Sequence, residues 1–438
     1  MKRILLSLAA AAGIMAGCCS QERRLAHTIL EDPLIDQVDS MARALAATGF
    51  NAGSVYNEVW IRDFNTFIEL SLEVTPPAEV RSVLDIFADF QAGDGNIPDA
   101  FVEVATADDL GYKYRFCDTR PGMAAHKNTV ETDQESSWVQ AVAQYVATTG
   151  DVAYLRYERQ GESILDRLGR AMAYLRQYKW NDTYGLIIGA TTADWGDVQP
   201  EHGWGVEIDD NTHYAIDIYD NAMFALALDD LSHMCRLCGR DSMATRWHLL
   251  RDSLATNIRA HLWDGERQKF VPHIYLDGSP FPENFDESEV YYHGGTAVAA
   301  LAGLLSEEEM AAANARMLAN VQAAGAQSIG LTLYPAYPEG SFANPMMGEY
   351  QYQNGGDWTW FGARMIQALV KYGMLKEAYE ELLPMLNRTV QYSGFYEWYH
   401  LDGTPVGTGT YRGAAGVLYK ACKQLRRAAA QTVSSSID

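Results

Sequence analysis

The chain has 438 residues, with 57 acidic against 34 basic side chains, a net charge of -23 and 48% hydrophobic residues. So acidic a balance argues against binding nucleic acid or anionic lipid through a basic face. No Pro/Gly/Ser-rich linker and no low-complexity tract divides the sequence, so one large closed architecture with a sizeable core is expected rather than a string of small domains.

At the start, Lys2 and Arg3 precede an apolar run from Ile4 to Met15 that is too short to span a bilayer, the pattern of an export signal. The run ends in Met15-Ala16-Gly17-Cys18, which resembles the lipobox of bacterial lipoproteins. That resemblance implies cleavage after residue 17, lipidation of Cys18 and a place in the periplasm or on the outer-membrane surface. The expected division is a signal over 1–17, a tether over 18–33, a catalytic domain over 34–430 and a flexible tail over 431–438.

Further along, apolar residues recur at helical spacing in about a dozen segments, and strand-like alternation is scarce. Trp138, Val142, Tyr145 and Val146 mark one helix; Ile164, Leu165, Leu168, Met172 and Leu175 the next; Met223, Phe224, Ala227, Leu228 and Leu231 a third. Others run through 249–262, 297–305, 310–321, 361–372, 378–386 and 414–425. Helices come in pairs, and between the pairs lie segments dense in Gly, Asp, Asn, Trp and Tyr, such as Asp94–Asp99 and Asn354–Trp358. This alternation predicts a helical toroid with turns at one end and elaborate loops at the other, and function on the loop-rich face. Cys235 and Cys238 fall inside one of the helical patterns with no second Cys or His pair at ligand spacing. They read, with Cys117 and Cys422, as buried thiols.

Four segments pair Trp or Tyr with Asp, Glu, Asn or Arg: Tyr56–Phe64, Glu131–Glu135, Ala193–Asp197 and Gly394–Tyr399. Aromatic faces cover the C–H face of a pyranose, while carboxylates and Arg satisfy its hydroxyls in fixed directions. Val59-Trp60-Ile61-Arg62-Asp63-Phe64 resembles the V-F-I-R-D-F signature of the neutral and alkaline invertases of glycoside hydrolase family 100. Thr132-Asp133-Gln134-Glu135-Ser136-Ser137-Trp138, Tyr352-Gln353-Asn354-Gly355-Gly356-Asp357-Trp358 and Tyr396-Glu397-Trp398-Tyr399 are similar to that family's later motifs, in the same order. Families 63 and 37 show related motifs. Asp357 stands where the family has a serine, Thr132 where it has a valine, and the acid motif differs.

The resemblance implies an all-α (α/α)6 barrel and an inverting glycosidase acting on a small α-glycoside such as an α-glucoside or sucrose, with no cofactor or metal. Inversion needs a protonated carboxyl for the leaving oxygen and an ionised one for water, roughly 6.5–9.5 Å apart. By position the acid is Asp194, with Asp197 as the alternative in the same segment, and the base is Glu397. Substrate contacts are expected from Trp60, Arg62, Asp63, Asp133, Gln134, Trp195, Asp197, Asn354, Asp357, Trp358 and Trp398, with Trp360 a further stacking candidate. Asp209–Asn211 and Asp286–Glu289 read as solvated acidic loops. Rival readings are an unsaturated glucuronyl hydrolase, a sugar epimerase, which would need a His pair, and a glycan-binding lipoprotein without catalysis.

Overall fold

The computed structural model describes residues 21–107, 112–203 and 207–435. The expected signal segment and Cys18 lie outside the described residues. Helix α1 (residues 21–31) leads into twelve barrel helices: α2 (Pro33–Ala46), α3 (Ile61–Val74), α4 (Pro77–Phe90), α5 (Gln134–Thr149), α6 (Ile164–Tyr178) and α7 (Ile218–Leu237). Then follow α8 (Asp241–His261), α9 (His293–Leu301), α10 (Glu307–Ala324), α11 (Thr359–Lys371), α12 (Leu375–Gln391) and α13 (Arg412–Ser434).

The odd-numbered helices from α3 to α13 form a closed inner ring. Each packs on the next, and α13 returns to α3. The even-numbered helices α2 to α12 back them from outside, giving the (α/α)6 barrel. The sequence separates the two layers by the width of the apolar stripe. In α5 every residue from Gln134 to Val142 is buried, and in α11 every one from Thr359 to Leu369. Outer helix α8 buries only Ala244, Trp247, Leu254 and Ile258.

Inner helices are entered from long connections (47–60, 91–133, 179–217, 262–292, 325–358 and 392–411) and are left by turns such as 75–76, 238–240 and 372–374. All six inner N-termini therefore meet the elaborate loops at one end, as the alternation of composition predicts. Those loops carry antiparallel strands only two to four residues long. One sheet runs Val59–Trp60, Ala100–Glu103, Met123–His126, Arg115–Phe116, and another Ile274–Tyr275, Tyr214–Ile216, Gly189–Ala190. Strands this short leave no alternation to read.

The expected tether is instead partly core: Ala26 and Ile29 on α1 are fully buried. Likewise α13 continues to Ser434, into the expected tail. No described helix is long and apolar enough to cross a membrane. Cys117, Cys235, Cys238 and Cys422 are free thiols.

Candidate active site

A cavity of about 620 Å³ opens on the loop-rich face, above the N-termini of the inner helices. Its wall holds six carboxylates, Glu58, Asp63, Asp99, Glu131, Asp197 and Glu397, together with Trp60, Trp195, Trp358, Trp360 and Trp398. The volume suits one or two sugar rings.

Glu397 follows the tight turn Ser393–Gly394 in the connection ahead of α13, immediately before the two-residue strand Trp398–Tyr399 that pairs with Pro405–Val406. The Tyr56 hydroxyl donates to its Oε1, and the Thr408 backbone amide also favours its ionised form. Burial outweighs both, and with the charges of Asp63 and Asp197 nearby its pKa rises to about 7. Gly407 at φ +77° lies against this carboxylate, and any Cβ there would collide with it.

Ala193–Asp197 forms the opposite wall, and it separates its two carboxylates sharply. Asp194 sits at φ +55° and is 1% exposed. Its carboxylate accepts from the backbone N–H of Gly294 at 2.7 Å and of Gly295 at 2.8 Å. Those are the first-turn amides of α9, whose own N-cap residue, Tyr292, offers no side-chain cap. Asp194 thus caps α9 from another loop, and burial pushes its pKa well above the ordinary carboxylate value against the pull of these two amides. Two glycines are needed there, since a Cβ on Gly294 or Gly295 would lie 2.8 Å from the Asp194 oxygens. Asp194 does not line the cavity, which corrects its expected place; Asp197, half-buried three residues on, does.

Arg62 and Asp63 occupy the first turn of α3. Arg62 is buried and spans Glu131 at 2.7 Å and Asp133 at 2.8 Å, so its charge is already matched. Asp63 receives the Tyr411 hydroxyl, and burial still lifts its pKa to about 6. Asp99 rises to about 8 through burial, and Glu131 rises well above the usual range for the same reason.

Trp60, Arg62, Asp63, Trp195, Asp197, Trp358 and Trp398 thus line one cavity together with Glu397. Trp195 is only 2% exposed and meets Trp358 and Trp360 edge-on at 4.9 and 5.4 Å, so these rings form a packed floor and not open platforms. Four expected contacts stand behind the wall. Asp133 holds Arg62 and the Tyr219 hydroxyl. Gln134 donates to Asn128 O and Glu131. Asn354 closes its own loop onto Tyr337 and Met347. Asp357 pairs with Arg388 at 2.9 Å and takes the Ser328 hydroxyl at 2.7 Å.

Glu58, Asp99 and Glu131 were not singled out in the sequence, although Glu58 and Glu131 lie inside the aromatic–acidic segments that were. Glu287, expected in a solvated loop, is instead tied to His273 and to the hydroxyls of Tyr275 and Tyr337. Among the described residues no group of three or more His, Cys, Asp or Glu is placed to hold a metal.

A carboxylate-rich, tryptophan-floored cavity over the mouth of a six-hairpin barrel defines a glycosidase. The sequence matches the glycosyl hydrolase 94 superfamily catalytic-domain model over residues 42–391, and the chain belongs to that superfamily. The motif likeness to family 100 therefore holds at the level of the shared barrel. No curated protein matches significantly.

Among solved structures, the fold is similar to a GH63 mannosylglycerate hydrolase from Thermus thermophilus, at 14% identity and TM-score 0.62, over 87% of this chain and 99% of that one. It is also similar to a rhamnosidase from Klebsiella oxytoca at 12% identity and TM-score 0.59, over 89% and 63% of the respective chains. A GH78 rhamnosidase of a Bacillus species matches at 16% and 0.53, over 89% and 35%.

Proposed function

We propose that the chain is an inverting, exo-acting glycoside hydrolase for a small α-glycoside, of the α-glucoside or sucrose type, with Asp197 as general acid and Glu397 as general base. The observation that carries this is the pairing of these two carboxylates in one cavity from opposite sides of the ring. Asp197 precedes α7 and Glu397 precedes α13, which stand three places apart in the closed order of six inner helices. A glycosidic carbon between them is open to a proton from one face and water from the other.

Asp197 replaces Asp194 as the acid because a carboxylate bound by two backbone amides behind the wall has no path to a leaving oxygen. Glu397, with a pKa near the working pH, is suited to take a proton from water. The structural neighbours include a mannosylglycerate hydrolase and rhamnosidases, so the barrel accommodates several kinds of glycoside. An epimerase is not favoured, since His400 is the one described histidine on the cavity wall. Export as a lipoprotein acylated on Cys18 remains part of the proposal, and is tested by loss of lipid labelling in Cys18→Ala.

The experiment measures hydrolysis of α-linked disaccharides, α-mannosides and rhamnosides by the wild-type protein and by Asp197→Asn and Glu397→Gln. Both variants should lose about 10²–10⁴-fold in kcat. Full activity in either one removes that residue from its role.

A further inference from the structure

Asp197 is gripped from across the cavity mouth by a side chain with no role so far. Gln353, 1% exposed in the connection ahead of α11, donates from Nε2 to Asp197 Oδ1 at 2.6 Å. Its Oε1 accepts from the Asp197 backbone N–H at 3.2 Å. A backbone N–H can only donate, so it fixes which end of the amide carries oxygen, and that turns Nε2 onto Oδ1. The approach is close enough to dictate sequence: a Cβ on Gly196 would lie 2.8 Å from Gln353 Oε1.

Gln353 is itself held firmly. Its neighbour Tyr352 adopts φ +47°, the Tyr352 carbonyl takes the Trp358 indole N–H at 2.8 Å, and Asn354 is fully buried. Since Nε2 only donates, Oδ1 of Asp197 is an acceptor in both protonation states. The proton of the neutral acid is then left to Oδ2.

We propose that Gln353 is a positioning residue for the general acid, holding Asp197 so that its transferable proton resides on Oδ2. This rests on the reading of Asp197 as the acid. In the step itself the Oδ2 proton passes to the glycosidic oxygen as the C1–O bond breaks, with the bonding pair leaving on that oxygen. Water adds to C1 and gives a proton to Glu397. The two carboxyls return to their starting states by exchanging one proton with solvent, so the net reaction consumes one water and no other reagent.

The test compares Gln353→Met and Gln353→Glu with wild type on two substrates of one sugar: a disaccharide, whose alkoxide leaves only when protonated, and a nitrophenyl glycoside, whose phenolate leaves unaided. Gln353→Met should lose more than about tenfold in kcat/KM on the disaccharide and under about threefold on the aryl glycoside, within the range of general-acid effects. Gln353→Glu keeps an acceptor for the Asp197 amide but loses the Nε2 donor to Oδ1, so it should show the same split between the two substrates. It carries the test if the Met variant fails to fold.

Equal losses on both substrates would overturn the proposal and leave Gln353 a structural residue. Asp197→Asn run on the same pair separates the two levels. If that variant retains the disaccharide activity, the acid assignment fails, whatever Gln353 does.

Discussion

The connections ahead of α7 and α13 each bring a carboxylate to the same cavity, yet they are built in opposite ways. The Asp197 wall is shaped by backbone: a left-handed Asp194 caps α9, Gly196 clears space for Gln353, and the proposed acid is left half-buried on a tight turn. The Glu397 wall is shaped by side chains: Tyr56, Tyr411 with Asp63, and the Gly407 backbone enclose a carboxylate that is 9% exposed. One arrangement fixes direction and the other fixes desolvation. An acid must aim a proton, and a base must hold a pKa near the working pH.

The contrast breaks most visibly at the carboxylates themselves. Asp197→Asn and Glu397→Gln should each cost about 10²–10⁴-fold in kcat on a disaccharide, but only the Asp197 loss should shrink on an aryl glycoside with an activated leaving group. Next in size is Gly407→Ala. A Cβ at φ +77° pushes on Glu397, and a displacement on the order of 1 Å is worth up to about 10²-fold in rate. Steady-state kinetics should show this fall with little change in KM.

Asp194→Asn comes third and separates capping from chemistry. It leaves one acceptor oxygen where the carboxyl offers two to the buried amides of Gly294 and Gly295, and should destabilise the fold by about 1–3 kcal/mol in urea titration. The alkaline limb of the surviving activity should not move, because Asp194 does not exchange the proton. The smallest effect is expected from Tyr56→Phe. In its proposed role as base Glu397 works ionised, so activity should rise with pH through its pKa of about 7. Removing a donor that favours the ionised form raises that pKa, and the acidic limb of kcat/KM should shift upward, read from a pH profile.

These differences also explain how far the sequence could be read. The paired helices were legible where an apolar face recurs at 3.6 spacing, as it does on α2, α6 and α12, which bury one face only. The twist of the site loops was not. Asp194 and Asp197 are three residues apart in Ala193-Asp194-Trp195-Gly196-Asp197, and which one faces the cavity depends on a left-handed residue that periodicity does not encode. Asp357 and Asn354 looked like sugar ligands because loop-stitching carboxylates and amides share the composition of binding loops; Arg388 and Ser328, which claim Asp357, come from distant segments. Gln353 lay beside the chosen Asn354, and its significance appears only with Asp197 opposite. Asp99 lies just before the strand Ala100–Glu103, outside the four aromatic–acidic segments, and the fold alone brings it to the wall.

The central claim is that two carboxylates act from opposite sides of the cavity, one on the leaving oxygen and one on water. Time-resolved proton NMR of the first turnovers on the best α-linked disaccharide tests it directly. The account predicts that the β-anomer of the released sugar appears first and then mutarotates. Initial appearance of the α-anomer would contradict it.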